Sequence, residues 1–439
     1  MAYAIMKFPL LFSLLPAIIW PTAGAFHVKM VSTQVAPPPV FKKDFAQPMY
    51  VPEESIKLVV DVLRSGRLNR YSCASAETSQ VAKLEEEFAA TTGSKYALGV
   101  NSCSSAIVLG LISCGVKAGD EVLSNAFTFT AVPSAILRIG AKPVLVECLE
   151  NWTMDLDDLE EKASTGTAKV LLLSHMRSKV CDMDRLLEIC EKHDLTLIED
   201  CAHALGITWR GEMLGSRAKV AAFSMQSDKL INSGEGGVLT TSDEGIIAKA
   251  IYMSGCYELR YGKHSVRAND ELMREAMLSQ PNLSMRMTEM TAAVIRPLLA
   301  DLPERSTQFK RRYDQVCALL EEAAPDLIKI PKPLEHAGVV GDHLNFHLIN
   351  PTEEESLAFQ AKTKEMGVPL NHLRSKTNAR WHMNWRGYGG PVQDLPSTDA
   401  TLATSYDLKL PPHFDDEDFP RLAENIAYAA RMTVRADQA

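Results

Sequence analysis

The strongest constraint on this chain is a regular alternation of short apolar runs with longer amphipathic ones, beginning near residue 54. Ala97-Leu-Gly-Val100 precedes a helix-like run over 104–114. Glu121-Val-Leu-Ser124 precedes another over 130–139, and Pro143-Val-Leu-Val146 follows. Lys169-Val-Leu-Leu-Leu-Ser174 leads into a helical pattern over 183–193, then into Leu195-Thr-Leu-Ile-Glu199. Strand runs separated by helical runs predict βαβ units with right-handed crossovers and a mostly parallel sheet. Val220-Ala-Ala-Phe-Ser224 and Gly237-Val-Leu-Thr-Thr241 lie close together and predict a hairpin. After about residue 295 the pattern changes. A charged helix over 302–322 leads into a mixed stretch that ends in a helix over 417–431. The expected fold class is α/β: a large sheet domain over 54–300 and a smaller α+β domain over 301–439.

Composition removes several function classes. With 46% hydrophobic and 23% charged residues, the chain reads as a soluble globular protein. A net charge of −9 offers no footprint for nucleic acid. Nine cysteines without CxxC spacing argue against a disulfide framework and a zinc site. His343-Leu-Asn-Phe-His347 has metal-like spacing but lies in an alternating, strand-like run without a third ligand. Structural histidines are expected there, and no metal. Cys201 reads as a small buried hydrophobe rather than a nucleophile, and Gly389-Gly390 marks a turn.

The first 43 residues contain no Asp or Glu, only Lys7, Lys29, Lys42 and Lys43. An apolar run after Lys7 ends before Ala23-Gly-Ala25, the order of a signal peptide over 1–25. That run is too short to span a bilayer as a helix. Residues 26–53 read as a transit-like, proline-rich arm. Phe26 leads a basic, acid-free segment, so an organelle reached through the secretory route is expected, a plastid being one such address. Secretion and a cytoplasmic location are the alternatives.

Three strand ends carry chemistry. Asn101-Ser-Cys-Ser-Ser105 lies between a strand and a helix, where free N–H groups and the helix dipole accept a phosphate. An ordinary serine N-cap has the same appearance. Glu199-Asp200 closes an apolar strand, the place where open α/β sheets bind ligands, though an Asp there also caps turns. Phe223-Ser-Met-Gln-Ser-Asp-Lys229 sets a lysine beyond a strand, before Gly234-Glu-Gly-Gly237. Taken singly, such a lysine is a surface charge. Taken together, the three supply what pyridoxal phosphate needs: a phosphate anchor, a lysine for its aldehyde carbon, and a carboxylate that keeps its ring nitrogen protonated.

On these motifs the chain, from about residue 50 to 432, resembles the DegT/DnrJ/EryC1/StrS aminotransferase family. The matching stretches include Asn101-Ser-Cys-Ser-Ser-Ala106, Gly119-Asp-Glu-Val122, Phe127-Thr-Phe-Thr-Ala131 and Gly140-Ala-Lys-Pro-Val144. They continue through Ile198-Glu-Asp-Cys-Ala-His-Ala204, the run from Phe223 to Lys229, and Arg286-Met-Thr-Glu289. The resemblance implies a fold-type I, aspartate aminotransferase-like enzyme with pyridoxal 5'-phosphate as cofactor. It implies an amino acid donor, glutamate or glutamine by family habit, and a keto-sugar (often nucleotide-linked) or keto-cyclitol as acceptor. It further implies a homodimer with shared active sites. By position, Lys229 is the catalytic lysine and Asp200 the partner of the ring nitrogen. His203 stands beside the ring oxygen, and Phe129 covers one ring face. Ser102, Cys103, Ser104 and Ser224 hold the phosphate, joined by Ser284 from the neighbouring subunit.

There are departures. Cys103-Ser104 replaces the family's Gly-Thr, Ser284 its Asn, and Met253-Ser-Gly255 its Asn-His-Gly. His175-Met-Arg-Ser178 lacks the final glycine of a His-x-x-Gly turn, where a positive φ is expected. Two other readings follow from the same resemblance. One is a pyridoxal phosphate-dependent sugar dehydratase, whose branch replaces the lysine with His. The other is a non-catalytic homologue that binds cofactor or sugar for regulation. Lys229 argues against the dehydratase, and Lys229 with Asp200 argues against the non-catalytic homologue.

Overall fold

Seven strands make the large sheet: β1 (Tyr96–Val100), β2 (Glu121–Asn125), β3 (Lys142–Val146), β4 (Val170–Ser174), β5 (Thr196–Asp200), β6 (Val220–Ser224) and β7 (Gly237–Thr241). The structure, a computed structural model, describes residues 36–388 and 392–434. The targeting segment over 1–25, residues 26–35 of the arm and Gly389-Gly390 lie outside the described residues. The strand order is β1-β7-β6-β5-β4-β2-β3. β7 alone runs against the others, antiparallel to both β1 and β6; β6, β5, β4, β2 and β3 pair in parallel.

Both faces of this sheet are covered, as a parallel sheet requires. All five residues of β4 are buried, and their alternation divides them between two cores. Val170 and Leu172 pack with residues of the helices Cys103–Ser113, Ala131–Arg138 and Glu244–Ser254. Leu171 and Leu173 pack with those of Gln80–Thr92, Met183–Lys192 and Glu289–Ala300. Each leucine buried this way contributes roughly 1.5–3 kcal/mol relative to exposure. Side-chain caps set where the helices begin. Asp182 accepts from the N–H groups of Asp184 and Arg185, and Asp243 from Ile246; such a cap contributes about 1 kcal/mol.

A second, antiparallel sheet contains β8 (Ile328–Lys329), β9 (His343–Leu348), β10 (Asn371–His372) and β11 (Ser405–Lys409), in the order β8-β9-β11-β10. Leu344, Phe346 and Leu348 of β9 enter a third core with the helices Leu302–Ala323, Glu353–Glu365 and Asp418–Thr433. The alternate residues His343, Asn345 and His347 point the other way, yet all six residues of β9 are buried. They are covered by the large-sheet half of the chain. Trp152 stacks on His347 with ring centroids 4.5 Å apart, and its Nε1–H donates to Ser405 Oγ at 2.8 Å.

The described part of the arm is strapped down on the second sheet's helices. The Phe41 N–H donates to the Met366 carbonyl at 2.9 Å. Phe41 and Phe45 pack on Phe414, with centroids at 5.3 and 5.0 Å. Gly367 (φ +81°) permits the crossing, because a Cβ there would stand 2.0 Å from the Phe41 carbonyl oxygen. Among the described residues no helix is long and apolar enough to cross a membrane.

Candidate active site

Parallel strands bring their carboxyl ends to one edge, where ligands bind in folds of this kind. Ser174, Asp200 and Ser224 end the adjacent strands β4, β5 and β6. Ser174 pairs in register with Asp200. Gly237, at the start of β7, pairs with both Ser224 and Val100, which brings the end of β1 to the same edge.

Asp200 is only 5% exposed. Its Oδ2 accepts from Ser174 Oγ at 2.8 Å, and its Oδ1 accepts from the Ala202 N–H at 3.1 Å. The Cys103 thiol donates to Oδ1 from 3.8 Å. Among the described residues no Lys or Arg pairs with this carboxylate. A buried carboxylate held by hydrogen bonds alone suits a cationic ring nitrogen as its partner.

Lys229 sits on the loop between β6 and β7. That loop closes on itself through Met225 N–H to Gly236 O and Ser227 N–H to Gly234 O. The Lys229 Nζ lies 2.8 Å from His203 Nε2. Burial, reinforced by the charge of Arg177, lowers the lysine to a pKa of about 8. Burial and the nearby lysine also hold His203 well below the usual histidine range. His203 is therefore neutral. Its Nδ1 faces Asp342 Oδ2 at 3.9 Å, so the tautomer protonated there leaves Nε2 as the acceptor for Lys229.

The start of helix Cys103–Ser113 forms a cradle that could take a phosphate. Ser102 caps the helix, its Oγ accepting from the Ser105 N–H. The N–H groups of Cys103 and Ser104 occupy the first turn, where no helical carbonyl reaches them. Gly237 lies against this turn: a Cβ there would stand 2.3 Å from the Ser102 carbonyl carbon and 2.4 Å from the Cys103 nitrogen. Ser224, its register partner, puts a hydroxyl beside the cradle. These residues fit pyridoxal phosphate on three counts: free first-turn donors, an acid without a cation, and a buried, weakly basic lysine.

The structure thus gathers Ser102, Cys103, Ser104, Asp200, His203, Ser224 and Lys229 at one edge. Phe129 is 42% exposed on the loop after β2, with the Arg380 guanidinium 5.7 Å from its ring centroid. Ser284 is not part of this cluster within one chain. It is exposed at φ +54°, and its bonds run to Asn282 and Arg286. Arg286 in turn donates to the Gly255 carbonyl at 2.8 Å. Glu289 is buried and accepts from Ser79 Oγ at 2.6 Å. Cys201 is fully buried, its thiol 3.9 Å from Glu199.

The turn that lost its glycine does adopt the left-handed backbone. Arg177 has φ +55° and Ser178 φ +63°, at a cost of about 1–3 kcal/mol each. Ser178 Oγ donates to the His203 carbonyl at 2.7 Å, which ties the strained turn to the site.

Sequence reasoning missed the second layer. Arg177 Nη2 pairs with Asp407 Oδ2 at 2.7 Å, both groups buried, and Asn345 Nδ2 donates to Asp407 Oδ1 at 3.1 Å. Asp342 lies 3.1 Å from His343 Nδ1, and the His343 ring stands perpendicular to His203 at 5.9 Å. His343 is therefore not merely structural. Together with Asp342 it walls the histidine that holds Lys229. The only sequence signals were the metal-like His343/His347 spacing and the missing glycine at 178. Donor atoms of His203, Asp342 and His343 lie within 4.8 Å of one another, as do those of His175, Glu199 and Cys201. In the second group His175 Nε2 already pairs with Glu199 at 2.8 Å.

The model of the DegT/DnrJ/EryC1/StrS aminotransferase family matches residues 50–427. The chain belongs to this family. It is 33% identical over 383 residues to the spore coat polysaccharide biosynthesis protein SpsC of Bacillus subtilis, covering 85% of this chain and 94% of that protein. It is 34% identical over 276 residues to L-glutamine:scyllo-inosose aminotransferase of Streptomyces griseus, covering 62% and 63%. The crystal structure of 3-amino-5-hydroxybenzoic acid synthase superposes with a TM-score of 0.74 at 26% identity, over 90% of this chain and all of that one. The fold is accordingly that of the fold-type I pyridoxal phosphate enzymes.

For this DegT-family aminotransferase the depressed lysine sets a pH dependence. Lys229 is nucleophilic only when unprotonated, and the unprotonated fraction falls about tenfold per pH unit below a pKa of about 8. The rate of pyridoxal phosphate capture by the apoprotein, followed by absorbance, should therefore rise about tenfold from pH 6.5 to 7.5 and level off above about pH 8. A rate that keeps rising about tenfold per unit beyond about pH 9 would show that the amine is not held near 8.

Proposed function

We propose that the enzyme carries an amino group from glutamate or glutamine to a keto-sugar or keto-cyclitol, with pyridoxal 5'-phosphate as cofactor. The observation that carries this reading is Lys229: buried, pulled to about pKa 8, and held at 2.8 Å by a neutral histidine. A surface lysine would keep its charge. The names of the relatives and the family support the sugar or cyclitol acceptor.

Ser102, Cys103, Ser104 and Ser224 would hold the cofactor's phosphate, and Asp200 its ring nitrogen. Bound there, the cofactor supplies an aldehyde for the donor's amine and a protonated ring that draws electrons from the reacting carbon. The chain's own residues do the rest. Asp200, fixed in place by hydrogen bonds from Ser174 Oγ and the Ala202 N–H, would pair with the ring nitrogen. Lys229 Nζ removes the proton from the donor's α-carbon and returns one in the reverse half-reaction, as a general base and acid. Neutral His203 orients that amine without competing for its charge. Phe129 would cover one face of the ring. Asp342, His343, Arg177 and Asp407 keep His203 in place.

Half-reactions test this directly, by following the cofactor's absorbance across a panel of amino donors and of nucleotide-linked keto-sugars and keto-cyclitols. Glutamate or glutamine should convert the cofactor to its amine form, and one class of acceptor should reverse it. Lys229→Ala should slow both steps by at least about 10³-fold. Asp200→Asn should cost about 2–4 kcal/mol, roughly 30- to 1,000-fold in rate. No conversion by any donor, or wild-type single-turnover rates in Asp200→Asn, would overturn the reading.

A homodimer with shared sites is part of the same proposal. Asn282 and Ser284 stand exposed on a loop with exposed Leu283 between them and exposed Leu278 on the preceding helix, and the helix Glu53–Ser65 exposes Ile56 and Leu63. Such apolar surface suits a second subunit. Mixed dimers of Lys229→Ala with the double variant Asn282→Ala/Ser284→Ala should recover part of the activity. Verified heterodimers without recovery would count against shared sites.

The address is also proposed: an organelle, on the strength of the acid-free first 43 residues. N-terminal sequencing of the mature protein should begin between residues 26 and 44. A start within residues 1–7 would remove the targeting reading.

A further inference from the structure

Beside the Lys229 site lies a second cavity, between the strained turn after β4 and residues 331–341. Its walls include Thr153, Arg177, Ser178, Lys179, Tyr313 and His343. Three cations line it, Arg177, Lys179 and Lys332, and no Asp or Glu does. Lys332 already has a partner in Glu321 at 2.5 Å. The other two are under-compensated. Arg177 is 6% exposed; Nη2 is taken by Asp407, and its Nε has no hydrogen-bond partner. Lys179 makes no ion pair among the described residues, and its ammonium stands over the Trp152 ring at 4.8 Å. Burial lowers its pKa to about 8. Two cations beside one cavity, one with an idle donor and one without an ion-pair partner, make a place for an anion.

The cavity adjoins the reacting centre. His343 belongs to its wall and also faces the His203 ring at 5.9 Å. Ser178 belongs to its wall and donates to the His203 carbonyl. His203 in turn holds Lys229. The backbone at Arg177 and Ser178 takes the unfavourable left-handed conformation in this turn, a kind of strain that gathers at ligand sites.

We propose that Arg177 and Lys179 form an oxyanion subsite of the substrate cleft, which binds a carboxylate or phosphate group of a substrate whose other end reacts at Lys229. This rests on the aminotransferase reading for the statement that the anion belongs to a substrate. Two sources share the chemistry: the carboxylate of the amino donor, and the diphosphate of a nucleotide-linked acceptor. A neutral keto-cyclitol has no group for this subsite.

Calorimetric titration of the holoenzyme with glutarate, and separately with uridine diphosphate, tests the subsite without turnover. Lys179→Gln leaves the Arg177–Asp407 pair intact, and Arg177→Lys keeps the charge while removing the fork that serves Asp407 and the cavity. Each variant should weaken at least one probe by about tenfold or more, the usual worth of a hydrogen bond to a charged group. Loss of glutarate assigns the donor carboxylate, and loss of uridine diphosphate assigns the acceptor. The KM of the corresponding substrate should rise by a similar factor. Wild-type affinity for both probes in both variants would overturn the proposal, as would a wild-type holoenzyme that binds neither. Absence of any half-reaction would sink the aminotransferase reading instead, and the titrations would still report on the subsite.

Discussion

Ser174, Asp200 and Ser224 share one edge because β4, β5 and β6 run parallel, and everything at the site depends on that pairing. An antiparallel neighbour would have sent one of the three to the opposite edge. The single reversed strand, β7, has a different use. It begins where the others end, so Gly237 meets the helix cap at Ser102 and closes the cradle. Covering both faces of the sheet leaves that edge as the place where polar groups can converge without unpaired neighbours in a core.

The site's electrostatics come from the meeting of two sheets. Lys229, Arg177, Lys179 and Arg380 crowd one region, with Asp200, Asp342 and Asp407 among them. Burial, reinforced by the charge of Arg177, lowers Lys229 to about 8 and Arg380 to about 10. Asp342, which belongs to the second sheet's part of the chain, opposes that fall, so the lysine's basicity depends on how that sheet docks. The polar face of β9 would be a solvent face in an isolated sheet. Here it is an internal, hydrogen-bonded seam of His343, Asn345 and His347.

The departures from the family pattern sort along the same line. Cys103 in place of glycine leaves the first-turn N–H groups free, and its thiol finds Asp200. Ser178 in place of glycine keeps the left-handed turn, with its hydroxyl tied to the His203 carbonyl. Ser284 and Met253-Ser-Gly255 lie around Arg286, away from the lysine.

Read alone, the sequence determined the strands of the large sheet, their hairpin at β6 and β7, and the residues at three strand ends. Those features are local: a run such as Val170-Leu-Leu-Leu-Ser174 is legible because burial on both faces demands an unbroken apolar segment. It also placed His343 to His347 in a strand, yet could not say what their polar face would meet. Contacts between residues far apart in the chain leave no periodic trace. The pairing of Arg177 with Asp407, and of His203 with Asp342, joins segments more than a hundred residues apart. Only the docking of the second sheet on the edge of the first brought those charges together. Docking therefore decided both the acidity of Lys229 and the cationic cavity beside it, because each depends on distance in space and on the exclusion of water.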